Sequence, residues 1–204
     1  MIYLASQSAR RKEILKKMKI PFRVVPSAYR EYFRKDLSPL ELTLKHALGK
    51  ALKAELPRGA RYVLAADTVV WRKKFHGKPK SFSQALQMIK SLSGRSHDVC
   101  TGVVLWDRKR GEFFQGVSKT KVFFKKMSDS EIRKYLSVVC PFDKAGSYAI
   151  QEGPKIVKSI RGSYSNVVGL PKGLVRMLLK KCRKSPMINK RGSSCQKRKT
   201  CGNH

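Results

Sequence analysis

The run YVLAADTVVW, residues 62–71, constrains this chain most. It is apolar apart from Asp67 and Thr68, and its length and β-branched content read as a buried strand. A carboxylate in such a strand costs several kcal/mol unless it is paired, hydrogen-bonded or bound to metal. Acids are scarce here, 13 Asp and Glu against 46 Lys and Arg, so an acid in a core strand stands out. Two readings of Asp67 follow. Either it ends the strand at a turn and is satisfied by backbone N–H groups, or it binds a divalent cation or takes a proton from water.

Strand and helix signals alternate around this run. Residues 2–5 read as a short buried strand, and Ser6 or Ser8 can cap a helix carrying Ile14, Leu15 and Met18. Residues 22–25 predict a strand, and residues 39–55 a helix through Leu40, Leu44, Ala47, Leu48 and Ala51. SFSQALQMIKSL predicts a helix capped by Ser83 and closed by Gly94. HDVCTGVVLWD and SKTKVFFKKM predict strands, and SDSEIRKYL opens a helix on a Ser128–Glu131 capping box. SYAIQ, KIVKSI and SNVV read as further strands. LPKGLVRMLLKKC closes the pattern as a helix with Pro171 in its first turn. The class is α/β, with antiparallel neighbours from Val99 onward, where helices thin out. One domain over residues 1–183 and a basic, disordered tail over 184–204 are expected.

In the opening stretch YLASQSARRKEIL, Arg10 and Arg11 fall in a first helical turn. Cations are unfavourable beside free backbone N–H groups unless an anion binds there. A phosphate would be held jointly by the amides, the Ser8 hydroxyl and a guanidinium fork. The bland reading leaves both arginines solvated on a very basic surface. The formal net charge of +33 suits an anionic substrate or a polyanion. Only nine of the basic residues lie from Lys180 onward, so the tail does not account for it.

No apolar run approaches a membrane span, and no signal peptide is legible at the N-terminus. Five cysteines at irregular spacing, three of them in the basic stretch from Lys180 onward with His204, lack the paired CxxC pattern of zinc modules and are expected as free thiols. There is no P-loop and no HExxH, and the histidines at 46, 76, 97 and 204 fall in no hydrolase motif. Other candidates are weak singly: Lys78 between Gly77 and Pro79, Lys50 on an apolar helix face, and Glu31 between Arg30 and Tyr32. Lys144 and Gln151 flank a glycine turn, Gln151 being read as a strand residue able to address a base edge or pair within a sheet.

Taken in order, LASQSARR, AADTVV, GKP, LSGRSHDVCTGV, DKAGSYAIQ and GSYSNVVGLP resemble the Maf family of nucleoside triphosphate pyrophosphatases over residues 2–179. The resemblance implies a fold like that of the inosine triphosphatases: an elongated, twisted mixed sheet with surrounding helices, two lobes and a central cleft. It implies cleavage of a nucleoside triphosphate between the α and β phosphates, with a divalent metal cation, Mg²⁺ or else Mn²⁺. Asp67 then corresponds to the proton acceptor and metal ligand. Ser8, Arg11, Lys50 and Lys78 correspond to phosphate-side positions, and Glu31 and Lys144 are further candidates. Arg10, Thr68 and Gln151 match the dTTP/UTP type of the family rather than its 7-methyl-GTP type. Ala9 stands where the family usually has proline, which loses some preorganisation of the loop.

The resemblance thus implies a cytoplasmic house-cleaning hydrolase of nucleotide metabolism without membrane contact. A homodimer and non-specific nucleic-acid contact through the basic surface stay open. The rival readings are a nucleic-acid-binding protein on this scaffold and a 7-methyl-GTP pyrophosphatase.

Overall fold

The computed structural model describes residues 1–34 and 36–185. Among the described residues seven strands form one mixed sheet: β1 (Ile2–Leu4), β2 (Phe22–Val24), β3 (Tyr62–Arg72), β4 (Lys74–His76), β5 (Ser96–Asp107), β6 (Glu112–Phe124) and β7 (Val157–Arg161). Their order is β2-β1-β3-β5-β6-β7, with β4 paired to β3. β1 runs parallel to both its neighbours, and every other pairing is antiparallel.

Six α-helices among the described residues surround the sheet: α1 (Ala9–Lys17), α2 (Pro39–Leu52), α3 (Phe82–Leu92), α4 (Asp129–Val138), α5 (Tyr164–Val168) and α6 (Lys172–Lys184). Local chemistry starts them. Ser8 caps α1 by accepting the Arg11 N–H, and full capping boxes open α2 (Ser38 with Glu41) and α4 (Ser128 with Glu131). α2 lies directly on β5: a Cβ at Gly102 would sit 2.5 Å from the Thr43 backbone, so only glycine admits the helix that close.

Unequal strand lengths make the cleft. β3 has 11 residues and β1 only 3. β1 therefore pairs with β3 only from Tyr62 to Leu64, and β4 pairs with it only from Val70 to Arg72. The opposite edge of β3 is zipped to β5 from Tyr62 through Trp71. Residues 65–69 are left facing a gap in the sheet. Separate cores lie on either side of it. Leu4, Leu15, Leu64, Leu105 and Leu178 pack on one side, and Val70, Ile89, Leu92, Ile132 and Tyr135 on the other.

Several local expectations need correction. SYAIQ is not a strand: Gly146 and Ser147 have φ of 71° and 65°, and the Tyr135 hydroxyl satisfies both backbone groups of Ala149 in place of a ladder partner. Gln151 consequently sits in a turn. SNVV is the core of α5, capped by Ser163 and closed by Gly169 at φ 118°. Ser81, not Ser83, caps α3. β6 begins six residues before Ser118, completing a long hairpin with β5. Pro171 is the cap of α6 rather than part of its first turn. Cys100, Cys140 and Cys182 are free thiols, as expected; Cys195, Cys201, His204 and nearly all of the expected tail (186–204) lie outside the described residues.

Candidate active site

The gap beside residues 65–69 opens into a cleft of about 680 Å³. Asp67 lies in its wall, 4% exposed. Its carboxylate points toward α2, which supplies two partners one turn apart. His46 Nδ1 lies 3.0 Å from Oδ2, and Lys50 Nζ donates to Oδ1 at 2.5 Å. The same ammonium donates to Glu31 Oε1 at 2.6 Å, so one lysine joins two carboxylates. Burial opposes ionisation of Asp67. The hydrogen bond to His46 and the charges of Lys50 and Arg11 outweigh it and hold the pKa at about 2. Asp67 is ionised across the neutral range.

Thr68 points to the other face of the sheet, as alternation along a strand requires. Arg11 meets it there. The guanidinium donates to Gly169 O at 2.9 Å, Ser6 Oγ at 3.1 Å and Thr68 Oγ1 at 3.2 Å. Burial pulls the Arg11 pKa down, and Asp67 and Glu31 pull it up. Three of its five N–H groups are spent on the scaffold, and two remain for a ligand. Arg10, the preceding residue, turns elsewhere. It donates to Asp143 Oδ2 at 2.9 Å and Asp143 O at 3.0 Å, spanning the cleft mouth. Lys78 stands exposed at the rim beside Gly77.

Two carboxylates drawn together by one ammonium are a donor set suited to a hard divalent cation. Such ions are commonly held by one or two carboxylates with substrate phosphates and water completing the shell. Glu31 and Asp67 fit that role. Among the described residues no group of three or more His, Cys, Asp and Glu forms a self-sufficient metal cage.

A family model described as Maf-like protein matches residues 1–182. The chain belongs to the Maf family. Curated relatives agree along most of its length. A dTTP/UTP pyrophosphatase of a Geobacter species is 47% identical over 173 residues, covering 83% of this chain and 89% of the relative. One of Carboxydothermus hydrogenoformans is 45% identical over 176 residues, covering 83% and 92%. One of Clostridium tetani is 41% identical over 184 residues, covering 87% and 95%. A solved structure, a HAM1 protein from Coxiella burnetii, aligns with 62% of this chain and 73% of its own at 13% identity and a TM-score of 0.42, too distant to add to this assignment.

Of the Maf positions singled out in the sequence, Ser8, Arg10, Arg11, Glu31, Lys50, Asp67, Thr68, Lys78 and Gln151 all line this one cleft. Lys144 does not. Its side chain is 6% exposed and its amine is bound to Cys140 O at 2.8 Å, Asp143 Oδ1 at 2.7 Å and Glu152 Oε2 at 3.1 Å. It braces Asp143, the partner of Arg10. Gln151 is exposed, with its amide donating to Glu152 Oε1 at 3.2 Å.

Sequence reasoning missed His46, Ser6, Asp143 and the aromatic wall of Tyr29, Phe33 and Tyr148. A usable signal existed for His46, which stands four residues before Lys50 and so on the same helix face. His97 is buried and pairs with the Tyr148 hydroxyl at 2.8 Å, fixing that wall; burial pushes its pKa down to about 3.

Proposed function

We propose that this protein hydrolyses dTTP and UTP to the nucleoside monophosphate and pyrophosphate, clearing unwanted or modified pyrimidine nucleotides in the cytoplasm. One observation carries the reading: a single cleft holds an ionised buried carboxylate, Asp67, together with the cations Arg10, Arg11, Lys50 and Lys78. That combination supplies cations for a triphosphate and leaves one acceptor for a water proton. The names of the relatives at 41–47% identity point to the same pair of substrates.

In this reading Arg11, Lys78 and the Ser8 turn bind phosphate oxygens, with the start of α1 offering its free N–H groups. Lys50 holds Glu31 and Asp67 against each other until substrate charge enters. Asp67 accepts a hydrogen bond from the attacking water. With a pKa of about 2 it is a weak base, so it takes the proton only as the new oxygen–phosphorus bond forms and the water turns acidic. Attack at the α phosphorus breaks its bond to the bridging oxygen, and pyrophosphate leaves. A divalent cation held by Glu31 and Asp67, Mg²⁺ by preference and Mn²⁺ as substitute, supplies charge neutralisation on the phosphates and a more acidic water. Arg10, Thr68 and Gln151 form the base-selective wall. A glutamine amide offers one donor and one acceptor, which matches the imide edge of uracil or thymine.

The test is a substrate panel of UTP, dTTP, CTP and 7-methyl-GTP with Mg²⁺ and with Mn²⁺, products separated by chromatography. UMP or dTMP with pyrophosphate, formed fastest from UTP and dTTP, is expected. Release of orthophosphate and a diphosphate, or preference for 7-methyl-GTP, would reject the proposal.

A further inference from the structure

His46 lies at the base of the cleft behind Asp67, only 1% exposed, and holds half of the Asp67 carboxylate. What fixes its ring is on the other side. Nε2 accepts the backbone N–H of Tyr32 at 3.4 Å. An amide N–H only donates, so this nitrogen carries a lone pair and the ring proton sits on Nδ1. From there it donates to Asp67 Oδ2 at 3.0 Å. The ring itself is boxed by Tyr29, with centroids 5.7 Å apart, and by Tyr32, edge-on at 5.0 Å.

The contacts close into a loop. Tyr32 N–H binds His46, His46 binds Asp67, Asp67 binds Lys50, and Lys50 binds Glu31, the residue next to Tyr32. Both side chains from α2 are needed for closure, and their four-residue spacing puts them on one helix face.

We infer that His46 is the positioning residue of this site: it clamps Oδ2 of Asp67, leaving Oδ1 on the Lys50 side toward the cleft, and ties the segment bearing Glu31 to the same carboxylate. The inference rests on the proposed catalytic role of Asp67. The clamp fixes the side-chain rotamer of a group that has to meet a water and a phosphate within tenths of an ångström. The donor acts through Asp67 and touches no substrate.

Two variants of the full chain separate this role from packing. His46→Leu keeps bulk and removes the donor. His46→Asn places an amide nitrogen two bonds from Cβ, where Nδ1 was. With UTP and Mg²⁺, His46→Leu should lower kcat by about tenfold or more, with KM within about threefold of wild type, as partners of catalytic ligands do. His46→Asn should recover most of that loss. Wild-type kcat in folded His46→Leu, a loss carried by KM instead, or an Asn variant no better than Leu would overturn the inference.

A second readout needs no activity and no folded Leu variant. In the metal-free chain labelled with nitrogen-15 histidine, His46 should carry its proton on Nδ1 and a lone pair on Nε2, the signal being assigned by its disappearance in His46→Asn. A proton on Nε2, alone or on both nitrogens, would overturn it. A wrong tautomer in an active enzyme removes the role of His46 alone. A wild type inactive on every triphosphate removes the proposed function and the role of His46 with it.

Discussion

Replacing Asp67 by asparagine keeps shape and removes charge, and the structure sets the size of two effects. The first is on stability. The carboxylate's pKa is about 2 in the fold against 3.8 for an unperturbed group. Each unit of difference is worth about 1.4 kcal/mol, so ionised Asp67 contributes roughly 2 kcal/mol at neutral pH. The folded pKa is depressed, so this contribution is full above the unfolded value and is lost as pH falls through the folded one. Asp67→Asn should therefore be roughly 2 kcal/mol less stable at pH 7, with the gap near half that size at about pH 3 and almost closed below pH 2. Lys50 keeps Glu31 as a partner, at 2.6 Å, so the variant is not left with an orphaned ammonium and should still fold. The second effect is on turnover, where loss of the proton acceptor should cost at least about a hundredfold. Urea unfolding of both proteins at several pH values, alongside UTP turnover at neutral pH, checks both. Equal stability at every pH, a gap that widens on acidification, or near-wild-type turnover would refute the electrostatic account of this residue.

Gln151→Glu should penalise UTP and dTTP by about 1–3 kcal/mol in kcat/KM relative to CTP and 7-methyl-GTP, because a carboxylate cannot donate to a base carbonyl; equal losses on all four substrates would remove the base-reading role. Arg11→Ala should weaken all triphosphates alike and also lower the melting temperature, since the guanidinium ties Ser6, Thr68 and Gly169 together; substrate-selective loss at full stability would contradict this. Removing residues 184–204 should leave UTP turnover within about twofold and weaken any salt-sensitive RNA binding, as fewer phosphate contacts predict; an inactive but folded truncation would put those residues in the site.

The strand carrying Asp67 was legible because a lone acid in an apolar run violates its local pattern, and such violations tend to be functional. The helix starts at Ser8 and Ser128 were legible because caps are local chemistry. What was not legible depends on contacts distant in sequence. Residues 147–151 have strand-like composition, but Tyr135 takes over the hydrogen bonds of Ala149, and that partner is not local. SNVV carries β-branched residues, yet the Asn166 side chain anchors to Val99 O and Thr120 Oγ1 and holds a short helix there. Lys144 and Lys50 looked equivalent on paper; burial against Asp143 and Glu152 takes one out of the cleft, while the other bridges Glu31 and Asp67. His46 followed no motif, and the role inferred for it depends on the loop that packs on it. The sheet gap depends on the three-residue length of β1, and strand ends are the part of a sequence that composition defines least.

The central claim, that water activated at Asp67 attacks the α phosphorus, is tested most directly by where solvent oxygen goes. UTP turned over with Mg²⁺ in water enriched in oxygen-18 should give UMP carrying one labelled oxygen and pyrophosphate carrying none. Label in the pyrophosphate instead would mean attack at the β phosphorus, and label in orthophosphate would mean attack at the γ phosphorus. Either result would contradict the account.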